Sequence, residues 1–223
     1  MTSQNLGNVL VRSDLNVPIS NGIISDNYRI IKSIEYVEAL EKISKSITFI
    51  SHLGRPKGID SSLSLKPVAE EMSKLLRRDV TFINKNTEKG IETVLKENNK
   101  NILLLENLRF NEGEVSNDNK FAKDVARPFD TYILDAFGAA HREHASIVSI
   151  GNHLNSYQGP LMSEEIFELD KVLTRGSKFF ISSNLSDTFA PPSMIVKSSL
   201  ISLNTLSNSK ISSDIKGPWY EFK

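Results

Sequence analysis

Cysteine is absent from all 223 residues, which excludes disulfides and thiolate metal sites. An excess of charge is absent too. Lys and Arg total 27, Asp and Glu total 27, and the formal net charge is zero. No global field draws this chain to nucleic acid or to a membrane surface, so an anion site has to be a local cluster of basic side chains. No apolar run approaches the ~20 residues of a membrane-spanning helix. The N-terminal MTSQNLGNVLVRSD lacks the basic start and apolar stretch of a secretion signal. The expectation is a cytoplasmic protein with neither nucleic acid nor membrane as partner. A hydrophobic content of 39% is enough for one globular domain with a sizeable core.

Short apolar runs alternate with amphipathic stretches. NVLVRSD (8–14), SITFISH (46–52), DVTFIN (79–84), NILLLEN (101–107) and TYILDAFG (131–138) read as buried strands. Between them, residues 27–43 place Ile30, Ile31, Ile34, Val37, Leu40 and Ile43 at helical spacing. Residues 66–77 do the same with Val68, Met72, Leu75 and Leu76, and Pro67 suits a first helical turn. Residues 118–126 and 163–173 also read as helices. Strands flanked by helices predict an α/β fold: a Rossmann-like, three-layer domain whose parallel sheet is covered on both faces. Ligands of such sheets sit beyond the carboxyl ends of the strands.

The polar residues fall at those ends. Asp14 and Asn16 follow the first strand, His52 and Arg55 the second, Arg109 the fourth. DAFGAAHREHAS follows the fifth and brings His141 and Arg142, while Arg29 begins the first helix. Bidentate guanidinium groups and backbone N–H groups are the donors that hold a phosphate or a carboxylate. Arg29, Arg55, Arg109 and Arg142, with His52 and His141 as a further candidate, supply that complement. Asp14 and Asn16 can accept from a substrate hydroxyl or orient the arginines. The Gly54–Arg55–Pro56 turn and Gly138 permit close backbone approach. Taken singly, each residue has a plainer explanation. An isolated arginine is usually a solvated charge, which is the reading for Arg77, Arg78 and Arg127. An isolated histidine after a strand usually caps or packs, Asp14 alone could be a turn former, and LLEN could be core plus cap. Four basic residues at the ends of different strands favour an anion site.

The motifs VRSDLNVP (11–18), SDNYRI (25–30), SHLGRPKG (51–58), SLKPVA (64–69), LLLENLRF (103–110), DAFGAAHREHAS (135–146) and GPLMSEEI (159–166) carry a more specific signal. In order and spacing they resemble the N-terminal half of phosphoglycerate kinase over residues 8–173. The resemblance implies phosphoryl transfer between ATP and 3-phosphoglycerate, with magnesium on the ATP/ADP. It also implies a monomer of two Rossmann-like domains, the first binding the glycerate and the second the nucleotide. By the same resemblance, Asp14, Asn16, Arg29, His52, Arg55, Arg109 and Arg142 occupy glycerate-binding positions. Arg29 matches the catalytic arginine that stabilises the transferring phosphoryl group. Leu15 stands where the family usually has Phe.

Beyond residue 173 the family pattern stops. The Gly-rich GGAKVSDK stretch that contacts nucleotide phosphates is missing from this sequence, so the chain is expected to carry no nucleotide, cofactor or metal site. Residues 181–214 are rich in serine, contain no Gly or Glu, and have Phe189 as their only aromatic residue. The genetic code accounts for this texture. Back-translation of KGPWYEFK (216–223), read as its reverse complement one base in, gives Leu-Asn-Ser-Tyr-(Gln/His)-Gly-Pro-(Leu/Phe), and residues 154–161 are LNSYQGPL. Continued to residue 203, the complement is compatible with all twenty positions of 154–173. Residues 197 down to 184 decode to a segment containing Gly-Gly-Ala-(Lys/Asn)-Val-Ser-Asp-Lys. The expectation is a phosphoglycerate kinase N-terminal domain over 1–173, including the start of the interdomain helix. It is followed by an aberrant, disordered tail over 174–223, translated from an inverted copy of the gene's own continuation. A genomic inversion and an assembly chimera explain the inversion equally well. The leading functional reading is a homologue reduced to its glycerate-binding half and inactive alone. The alternatives are a stand-alone phospho-acid-binding or regulatory module, and a pseudogene product.

Overall fold

A computed structural model describes residues 5–84, 91, 95 and 102–180, with only the backbone for 173–180. The expected tail beyond residue 180 lies outside the described residues. Six parallel strands form one sheet in the order β5-β6-β4-β1-β7-β8. They are β1 (Asn8–Ser13), β4 (Ser46–Ile50), β5 (Val80–Ile83), β6 (Ile102–Leu105), β7 (Thr131–Asp135) and β8 (Asn155–Gln158). A hairpin of two-residue strands, β2 (Ile19–Ser20) and β3 (Ile23–Ile24), turns at Asn21–Gly22 with both residues at positive φ. Helices α1 (Tyr28–Ile34), α2 (Val37–Glu41) and α3 (Lys66–Leu76) precede β6 in the chain. The short α4 (Glu112–Val115), then α5 (Asn119–Ala126) and the 21-residue α6 (Pro160–Phe180), follow it.

The central strands are buried on both faces, which is why they read as unbroken apolar runs. Alternate residues go to opposite faces. Val9, Val11, Ile47, Phe49, Leu104 and Ile133 pack with Ile30, Val37, Leu40, Val68 and Met72. Leu10, Ile50, Leu103, Leu105, Tyr132 and Leu134 pack with Ala122, Val125, Ala126 and Met162. The predicted three-layer α/β fold is therefore the fold observed.

Three local differences from the sequence expectation have physical reasons. The helix predicted over 27–43 is two helices, broken at Glu35–Tyr36, where Tyr36 sits at φ −103°, ψ 5°. No Gly or Pro causes the break; the buried Tyr36 side chain instead faces Asp135 at the end of β7. Strand β8 escaped the pattern because NSYQ is a polar, largely exposed edge strand. Helix α6 begins at Pro160 and its backbone stays helical to Phe180, past the boundary expected at 173. Its first turn is anchored by Asp135, whose Oδ1 accepts from the Met162 N–H at 3.0 Å. A Cβ at position 159 would fall 2.3–2.4 Å from Asp135 atoms, so only glycine lets the two meet.

Candidate functional site

Because every strand of the sheet is parallel, the segments after β1, β4, β6 and β7 emerge on one edge. The sequence-predicted residues lie there, and hydrogen bonds link several of them. Arg29 Nη1 donates to Asp14 Oδ2 at 2.6 Å. Asp14 Oδ1 accepts from the Asn16 N–H at 3.3 Å, and Gly138 lies directly behind the same carboxylate. Asn16 Oδ1 accepts from the Gly54 N–H at 3.0 Å, and the Gly54 carbonyl accepts from Arg109 Nη1 at 2.5 Å. Gly54 holds φ +61°, where a side chain is strained, and a Cβ there would meet Leu63 at 2.8 Å. Asp14 thus orients Arg29, one of its two predicted roles. Asn16 pins the turn that Arg109 grips and keeps its amide N–H groups for a ligand.

The positive charges are mutually close. Burial lowers the Arg109 pKa first, and repulsion from Arg142, Arg12 and Arg55 adds to it, against partial relief from Glu114. Among the described residues neither Arg55 nor Arg142 has an ion-pair partner. Cations grouped in this way, two of them without an ion-pair partner among the described residues, have the charge to suit an anion. His141 is exposed at its margin. Arg77, Arg78 and Arg127 are exposed and stand at the opposite edge of the sheet, as their plainer reading predicted; Arg78 pairs with Glu41 at 2.8 Å.

His52 is buried and neutral. Burial is the main cause, and Arg12, Arg109, His144 and Arg142 reinforce it, bringing its pKa to about 2. His144 is shifted down to about 4, again by burial first and then by Arg109, Arg142 and Arg12. In its neutral form, the 3.7 Å approach of His144 Nδ1 to Glu114 is not an ion pair.

Sequence reasoning missed the layer behind these residues. Arg12 is fully buried and bonds Ser13 C=O, Ser146 Oγ and His52. Ser146 in turn donates from Oγ and N–H to Glu114, at 2.6 and 3.0 Å, and Tyr132 donates its hydroxyl to the Ser146 carbonyl. The available signal was an arginine inside a fully apolar strand pattern, VLVRS. LLEN, by contrast, is core plus cap. Asn107 bonds Leu53 N–H and C=O, Leu63 C=O and Arg109 N–H, while Glu106 accepts from the Leu65 N–H and the Ser64 hydroxyl before α3.

The donor set suits an anion. Among the described residues no three His, Cys, Asp or Glu side chains converge to hold a metal ion. No described helix is long and apolar enough to cross a membrane.

The family model for phosphoglycerate kinase matches residues 4–182. The phosphoglycerate kinase of Wolbachia pipientis is 42% identical over 172 residues, covering 77% of this chain and 43% of that protein. That of Rubrobacter xylanophilus is 40% identical over 174 residues, covering 78% and 44%. Among solved structures, phosphoglycerate kinase from Coxiella burnetii superposes with a TM-score of 0.66 at 32% identity, covering 77% of this chain and 43% of the other. The Pyrococcus horikoshii enzyme gives 0.67 at 27% identity, covering 77% and 44%. The chain thus spans less than half the length of the curated relatives it matches. On sequence and fold alike, it belongs to the phosphoglycerate kinase family.

Proposed function

We propose that this chain is the acid-binding half of a phosphoglycerate kinase and that its sheet-edge basin takes 3-phosphoglycerate. The observation that carries the reading is the cluster of Arg109 and Arg142 around neutral His52, with Arg55 close to Arg109 and with Arg55 and Arg142 lacking carboxylate partners among the described residues. Close cations without counter-ions repel one another until an anion arrives, so a phosphate gains both charge-assisted hydrogen bonds and relief of that repulsion. Across the basin, Arg29 is held by Asp14 and suits a second anionic group or the transferring phosphoryl, while Asn16 suits the glycerate hydroxyl. The ligand is thus read at three points: two charges and a hydroxyl.

The 223 residues by themselves bind the acid but do not turn over ATP. The Gly-rich nucleotide motif of the family is missing from their sequence, and a site built on one side of the reacting groups cannot align both phosphates. The whole reaction, glycolytic transfer between ATP and the acid with magnesium, belongs to the two-domain protein; this half is read as monomeric and cytoplasmic. Calorimetric titration with 3-phosphoglycerate tests the site. Saturable heat is expected, weakened on the order of tenfold or more by Arg109→Ala, which removes a charged donor. No heat from the unmodified chain overturns the acid reading, and ATP turnover in a coupled assay overturns the claim of inactivity.

A further inference from the structure

Arg12 occupies a position where the sheet calls for an aliphatic side chain. It lies two residues after Leu10 on the same face of β1, between its register partners Ile50 of β4 and Leu134 of β7. Both Arg12 and Glu114 are fully buried. Their charges do not touch: Ser146 stands between them, accepting from Arg12 Nε at 3.0 Å and donating to Glu114 at 2.6 Å. Stability does not explain such an arrangement, because buried charge networks can often be replaced by apolar residues at no net loss.

The remaining Arg12 contact supplies a reason. Its Nη2 lies 2.9 Å from His52 Nδ1. A guanidinium donates and never accepts, so Nδ1 must carry the lone pair and the ring proton must sit on Nε2. Nε2, on the other side of the ring, bonds to no described residue and is not among the sealed, unpartnered atoms. We propose that Arg12 is a positioning residue for acid binding: it locks His52 in the one tautomer that offers Nε2–H to the ligand, and Glu114 anchors it through Ser146. This rests on the reading of the basin as an acid site. Without the lock, a neutral imidazole exchanges between its two tautomers, and the fraction with its proton on Nδ1 presents a lone pair to an anionic oxygen, which repels rather than binds. The groups facing His52 from neighbouring elements are Arg12, Arg109, Arg142 and His144; all three charged ones are cations that keep the ring neutral. A neutral ring has two tautomers, so its choice between them is fixed by Arg12.

The test begins without ligand. In the 15N-labelled full chain, long-range proton–nitrogen correlation at neutral pH should show His52 with unprotonated Nδ1 and protonated Nε2. A protonated Nδ1 overturns the proposal. Arg12→Met should give averaged shifts of mixed tautomers and raise the 3-phosphoglycerate Kd by the reciprocal of the fraction of rings that keep Nε2–H, about twofold when half do. His52→Gln keeps a donor near the Nε2 position without needing Arg12. In that background Arg12→Met should leave Kd unchanged, the sign of two residues acting through one interaction. An undiminished loss there means that Arg12 acts by its own charge, and the positioning role falls. If Arg12→Met does not fold, Ser146→Ala cuts the anchor while leaving both side chains, and an unchanged tautomer together with unchanged Kd overturns the anchoring. A chain with the Nε2–H tautomer that binds no 3-phosphoglycerate overturns the acid reading and the positioning role with it, leaving the lock alone.

Discussion

The basin has an inner wall and an outer rim, each built on an arginine and a carboxylate, and burial makes them behave oppositely. At the wall, Arg12 and Glu114 are fully buried and joined through Ser146. At the rim, Arg29 and Asp14 touch directly at 2.6 Å with side chains 52% and 23% exposed. The closer pair is the weaker one. Water and salt screen the rim, which leaves Arg29 free to exchange its partner for a ligand. The wall cannot rearrange without stranding a charge, so it fixes donor directions before a ligand arrives.

Removing one member of each pair should expose the contrast. Glu114→Ala leaves Arg12 buried and unanswered and should cost about 3–5 kcal/mol of stability by denaturant titration. A loss under about 1 kcal/mol would mean that water already reaches the wall. Acidification attacks the same wall. His52 and His144 have folded pKa values below the unfolded value of about 6.5. The unfolded chain therefore binds more protons between the two values, and stability present above about pH 6.5 is lost as pH falls toward 4 and below. The slope is at most about 1.4 kcal/mol per pH unit for each histidine. Asp135, raised by burial, shifts the other way and offsets part of the loss. His52→Gln should flatten the slope, and an unchanged slope would remove His52 from the account. Gly54→Ala, forced into φ +61° against Leu63, should cost about 1–2 kcal/mol and weaken acid binding by moving the Arg109 acceptor. The smallest stability change belongs to the rim. Asp14→Asn should stay within about 1 kcal/mol in thermal unfolding yet weaken 3-phosphoglycerate binding, because Arg29 loses its guide.

The same contrast explains what the sequence revealed. Rim and basin residues follow strands as polar breaks in apolar runs, so the places of Asp14, His52, Arg55, Arg109 and Arg142 at the strand ends were legible from periodicity. Arg12, Ser146 and Glu114 were not, because their partners lie 134, 40 and 32 residues apart and only the folded register joins them. The five strands β1, β4, β5, β6 and β7 announced themselves as apolar runs; β8, exposed and polar, carried no such period. The β2–β3 hairpin had a readable signal in Asn21–Gly22, the commonest pair for its turn. The break at Tyr36 had none, since its contact with Asp135 is made ninety-nine residues away in the chain.

Asp135 ends the strand that feeds the DAFGAAHR segment and also grips the first turn of α6. With 21 residues, α6 is about 31 Å long. Held tightly at one end beside the basin, it is a lever with its fulcrum at Gly159. A tilt of about ten degrees at that fulcrum carries the far end through about 5 Å. A small displacement of its first turn would thus be magnified toward the Phe180 end of the helix.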